Sequence, residues 1–136
     1  VYQPDSGGTK IPNHIKPAIE SRLNKYAKEK FPDKKFKLGF RYRSQFCYVD
    51  AYTEPQANIA ELAKITGETE EECLERLRKI PTHLIRMRYH GDMENWSVAF
   101  YKYSDEKYET SMLMNGSFEG TPEECLDIGS VYLLNG

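Results

Sequence analysis

Arg41 and Arg43, and again Arg86 and Arg88, stand two residues apart in segments that alternate apolar and polar side chains. In a strand, residues at that spacing project from one side. Tyr48, Tyr101 and Tyr103 are expected on the same sheet surface if the registers align them. Arginines interleaved with tyrosines have three familiar chemistries. They anchor protein interfaces, where Tyr and Arg carry much of the binding energy. They pair with phosphates and stack on bases, as in single-stranded nucleic-acid platforms. They also make up an ordinary solvated face, since antiparallel sheets commonly show one polar side to water.

Asp50 interrupts the otherwise apolar run Phe46–Tyr52. A carboxylate among tyrosines and arginines suits a general acid or base, and equally suits an ion pair that specifies strand register. Glu54 follows at i+4, but Pro55 ends the strand there. His90, Asp92 and Glu94 surround one hairpin loop, yet their spacing matches no established metal motif, and no metal ligand set is assigned. Gly7-Gly8-Thr9-Lys10 lacks the glycine spacing of a phosphate loop, and no cofactor motif is present. His14 and His83 have no partner visible in sequence; His83, after Pro81-Thr82, reads as the start of a strand. Cys47, Cys73 and Cys125 are odd in number and widely spaced, which suggests neither a disulfide framework nor a zinc ribbon.

The elements that must position these residues follow from periodicity. Residues 1–11 read as a flexible leader, and residues 12–136 as a single domain. Asn13 is the expected N-cap of a helix with the apolar stripe Ile15, Ile19, Leu23 and Tyr26, closed by Phe31-Pro32-Asp33. Two strands lie between Phe36 and Tyr52. The segment 55–81 is helical, with a Thr69/Glu72 capping box. A three-strand meander then spans His83–Tyr89, Trp96–Tyr103 and Tyr108–Met114, with Ser117–Glu119 as the stub of a further strand. Thr121-Pro122-Glu123-Glu124 opens the last helix through a second capping box, with proline at the first helical position. The expected fold is α+β: a five-stranded antiparallel sheet, covered on one face by N-terminal, middle and C-terminal helices.

Composition sets the bounds. The 136 residues fit one domain, and 39% apolar with 29% charged residues is the balance of a folded chain, not a disordered one. No apolar run approaches the length of a membrane span, and unpaired cysteines fit a reducing, cytoplasmic setting. Charge is uneven. Residues 10–43 carry eleven basic and three acidic side chains, while the remainder carries eight basic and eighteen acidic ones. The basic segment either faces an acidic partner or attracts the acidic half within the fold.

The run Trp96–Ser104, followed by Glu106-Lys107-Tyr108-Glu109, resembles a segment of small uncharacterised prokaryotic proteins. In those the pattern continues into an Asn-Gly turn and a Gly-Thr-Pro-Glu-Glu helix start, here Asn115-Gly116 and Gly120–Glu124. The similarity reaches back through Gln45–Tyr52 and covers most of residues 12–133. It implies a prokaryotic source and a shared fold, and carries no activity. Three functions stay open on these grounds. The first is a binding or accessory module whose Arg/Tyr face engages a protein partner or a second copy. The second is a small enzyme for an anionic or nucleotide-like substrate with Asp50 as acid/base. The third is a nucleic-acid-binding module using residues 10–43.

Overall fold

The computed structural model describes residues 7–33, 35–55 and 58–134. Its centre is a five-stranded antiparallel sheet in simple sequential order: β1 (Phe36–Arg43), β2 (Phe46–Thr53), β3 (Thr82–Asp92), β4 (Asn95–Lys102) and β5 (Lys107–Ser111). Helices α1 (Lys16–Lys30), α2 (Ile59–Thr66), α3 (Glu70–Arg78), α4 (Pro122–Gly129) and α5 (Val131–Leu134) complete the α+β fold. Among the described residues no helix is long and apolar enough to cross a membrane.

Alternation assigns the two faces. On β1, Leu38 is buried beneath the helices with Phe36, Phe40 and Tyr42 packed against the core, and Lys37, Arg41 and Arg43 point the other way. On β2 the small set does the inward packing: Cys47, Val49 and Ala51 are wholly buried. Ile85, Met87 and Tyr89 of β3 and Trp96 and Val98 of β4 continue the layer. Helix α1 contributes Ile19, Leu23 and Ala27, with Phe31 just past its end, and α4 contributes Cys125 and Leu126. The exposed backs of these helices are polar, as a period near 3.6 residues requires.

Part of the uneven charge is met inside the fold: among the described residues Arg22, Lys30 and Arg41 of the basic segment pair with acidic groups of the remainder. Arg22 of α1 reaches Glu123 of α4 at 2.6 Å and also pairs with Glu94 beside the β3–β4 turn. One turn apart, Tyr26 and Lys30 both bond Asp127. The positions i, i+4 and i+8 of α1 thus meet i and i+4 of α4, which is how two facing helix stripes align.

Several elements differ from expectation. The supposed leader is anchored by its end: the Thr9 amide donates to the Tyr89 carbonyl at 2.8 Å, and Ile11 is 1% exposed in the core. Residues 1–6 of that segment lie outside the described residues. Asn13 does not cap α1; a 3₁₀ turn over Asn13–Ile15 precedes the helix, and the Asn13 side chain accepts from Lys16 Nζ. Strand β5 stops at Ser111 because Leu113 turns into the core and its amide is taken by the Ser117 carbonyl. The expected strand stub reduces to one bridge, with Gly120 pairing Trp96. Helices α2 and α3 pack on each other, and their buried Ala63 and Cys73 stand outside the main core cluster. Both capping boxes, Thr69 with Glu72 and Thr121 with Glu124, form in full.

Candidate functional site

The face of the sheet opposite α1 and α4 is organised in rows across the strands. Arg43, Phe46, Arg88 and Ser97 form the first row, and Arg41, Tyr48, Arg86, Ala99 and Thr110 the second. Gly39, Asp50 and His83 form the third, with Tyr101 and Tyr108 paired further along. Six of the seven residues proposed for binding from sequence therefore share one surface. The seventh, Tyr103, lies just past the end of β4; its ring packs on Tyr101 at 4.7 Å and its hydroxyl accepts from the His83 amide at 2.7 Å.

Two of the guanidiniums lie across rings, that of Arg41 with about half of its side chain still exposed. Arg41 sits 4.8 Å from the Tyr48 ring centre, and Arg86 4.6 Å from that of Phe46. Arg86 also approaches Tyr108, which meets Tyr48 and Tyr101 edge-on at 5.4 and 5.0 Å. Such contacts fix side chains that would otherwise be free to rotate, so the surface is pre-organised. Arg88 is less available than expected. It is 6% exposed, and Gly8, at φ +100°, lies against its stem. A Cβ at Gly8 would come within 2.8 Å of Arg88 Cγ, so only glycine permits this approach. The space among Phe46, Arg86, Arg88, Ser97 and Thr110 is about 10 Å³, room for one water molecule.

Asp50 lies beneath this layer and is 1% exposed. Arg41 Nε and Nη2 donate to its two oxygens at 3.0 and 3.3 Å, and His83 Nδ1 sits 2.8 Å from Oδ1. The carboxylate holds the Arg41 guanidinium above its ordinary pKa by accepting its hydrogen bonds. Burial first, and the Asp50 charge second, push the Tyr108 hydroxyl up to about 12, against the lowering influence of nearby Arg41. His83 was missed in sequence because its partner is 33 residues away, beyond a helical insertion.

A bulge makes the contact. The β2–β3 register shifts between Val49 and Asp50, so Val49 faces Ile85 while Asp50 faces His83. The extra residue, Leu84, is buried with Ile85. Bulges re-aim side chains in this way, and no local pattern announces them. The remaining sequence candidates disperse. Glu94 is engaged by Arg22, Asp92 accepts from the Glu94 amide, and His90 Nε2 meets Ser97 Oγ at 3.0 Å. Glu54 pairs with Arg78. Among the described residues no group of His, Cys, Asp and Glu is placed to hold a metal.

Chemically, the arrangement offers a buried carboxylate hydrogen-bonded to a partly exposed imidazole, under a platform of cations on aromatic rings. No known protein family, no curated protein and no solved structure matches the chain.

Proposed function

We propose that this protein is a binding or accessory module whose Arg/Tyr sheet face engages a protein partner or a second copy of itself. The observation that carries the reading is the ordering of Arg41 and Arg86 across Tyr48 and Phe46 on a face with a cavity no larger than a water at its centre. Small-molecule sites are concave, with volumes of roughly 300 Å³ or more. Flat, pre-ordered surfaces of Arg and aromatic side chains are the material of protein interfaces. Buried, unpaired cysteines and the absence of a spanning helix among the described residues are in keeping with a reducing, cytoplasmic setting.

The test is affinity purification with the wild-type chain against Arg86→Glu and Tyr48→Ala, followed by reconstitution with the purified partner. Sedimentation of the chain alone covers self-association. Loss of about 2 kcal/mol or more of binding in each variant is expected of anchor residues. Equal binding by wild type and both variants would sink the reading.

One observation favours a catalytic alternative, the Asp50–His83 hydrogen bond. With Nδ1–H donated to Asp50, the His83 Nε2 is an acceptor, and His83 is the base in place of the covered Asp50. Arg41 and Arg86 would then clamp an anionic or nucleotide-like substrate. Turnover of any phosphoester or nucleotide that is abolished by His83→Ala, but kept in Arg43→Ala, would favour this reading. A nucleic-acid role predicts instead polynucleotide binding that falls steeply with salt.

A further inference from the structure

Strand β1 is an edge of the sheet. It runs for eight residues in unbroken register with β2, from Phe36 opposite Thr53 to Arg43 opposite Phe46. It has no bulge and no proline, and of the devices by which proteins blunt an exposed edge it carries charged side chains, at Lys37, Arg41 and Arg43. Backbone groups in an antiparallel strand point alternately to either side, so about half of the β1 amides and carbonyls face away from β2. Among the described residues, no backbone hydrogen bond other than its ladder to β2 reaches β1.

A groove of about 400 Å³ runs beside this edge, between β1 and the last turns of α1. Its floor is apolar, with Ala27, Phe31, Phe36 and Leu38, and its rim carries Lys28, Lys35 and Lys37. Arg41 and Arg43 continue the basic line along the other side of β1. Side chains of an added strand alternate between the two faces of the sheet. One set would enter the apolar groove, and the other would lie beside Lys37, Arg41 and Arg43.

We infer that the β1 edge is a strand-addition site for an extended, acidic peptide segment of a partner protein, one that alternates apolar and carboxylate side chains. The basic line selects this occupant. Pairing of β1 with β1 of a second copy would bring Lys37 and Arg43 near like charges, which is destabilising, while Arg41 is already paired with Asp50. An acidic strand meets the same charges as attraction. Main-chain hydrogen bonds would supply affinity and the groove specificity. Arg41 and Arg43 border both this edge and the Arg/Tyr face, so the test varies Lys28, Lys35 and Lys37, which line the groove and take no part in the Arg/Tyr reading.

The experiment uses a fluorescent peptide of alternating Val and Glu, matched to the eight residues of β1. Controls are an alternating Val/Lys peptide and a Val/Glu peptide N-methylated at alternate residues. Anisotropy measures affinity, and amide hydrogen exchange with chemical-shift mapping locates the peptide. Expected are binding by the Val/Glu peptide alone and new protection at alternate amides within residues 36–43. Lys35→Glu with Lys37→Glu should weaken binding by about tenfold or more. Lys28→Glu, on the exposed side of α1, tests the same charge should the double variant fold poorly. Three results would overturn the inference. These are equal binding by the Val/Glu and Val/Lys peptides, shifts confined to the Arg/Tyr face, or a dimer of the free chain whose β1 amides are already protected.

Discussion

His83 Nδ1 lies 2.8 Å from Asp50 Oδ1, across two strands whose register slips at that point. The slip matters because a sheet without it would carry His83 to the helix-covered side. Leu84, the additional residue, goes into the core and leaves His83 facing Asp50. Arg41 completes the carboxylate's hydrogen bonding from the other neighbouring strand, which explains how a nearly inaccessible Asp is tolerated. The trio therefore ties β1, β2 and β3 together under the aromatic layer, whatever the layer binds.

Removing the carboxylate should be costly. Asp50→Ala strips Arg41 and His83 of their shared acceptor, though Arg41 is half exposed and regains water. We expect a loss of about 2–4 kcal/mol in urea denaturation, below the full cost of orphaning a buried charge. His83→Ala should cost about 1 kcal/mol. In a double-mutant cycle the pair should couple by about 1 kcal/mol, and additive effects would show that the hydrogen bond contributes nothing.

Gly129 seats the bulge from the other side of the sheet. A Cβ there would lie 2.8 Å from Ile85 Cγ2 and 3.2 Å from the Leu84 carbonyl carbon, so α4 approaches only because no side chain intervenes. Gly129→Ala should destabilise by about 1–3 kcal/mol through this overpacking. It should also displace the His83 imidazole resonances in NMR, since the strain falls on the bulge. Unchanged stability would mean that α4 withdraws freely and the bulge does not depend on it.

Legibility in the sequence followed the range of each interaction. The capping boxes at Thr69 and Thr121 are local, and both appear as read. Period-two alternation correctly divided β1 and β2, so the Arg41, Arg43 and Tyr48 face could be named in advance. What failed depended on distant partners. Nothing near Ile11 reveals that it enters the core, and nothing near His83 reveals a bulge. Tyr108 was overlooked as a site residue because its importance comes from Tyr48, Tyr101 and Arg41, all on other strands.

The cysteines should be silent in the native protein. All three are buried and unpaired. Burial is the chief reason the Cys47 thiol is pushed up to about 12, and it raises Cys125 as well. Since the thiolate is the reactive form, a disulfide reagent at neutral pH should label the native chain only as fast as it opens. Complete labelling should follow in denaturant. Rapid reaction of Cys47 in the folded protein would contradict its place under α1 and the sheet.

The α1–α4 seam gives the acid response a definite sign. Burial works to raise the Glu123 pKa, but the Arg22 guanidinium outweighs it, and the carboxyl ends below its ordinary value. A carboxylate with a folded pKa below its unfolded one stabilises the fold at pH above the unfolded value. That stabilisation is lost as pH falls through the lowered folded value. Glu123→Gln keeps the shape and removes the titration. At neutral pH the variant should be less stable than wild type by about 1 kcal/mol, a discounted figure because the pair is partly solvated. On acidification the two stability curves should converge, because wild type loses what the variant never had. High salt should narrow the neutral gap in the same direction. A gap that holds constant from neutral pH to strong acid would show that packing at position 123, and not its charge, joins α4 to α1.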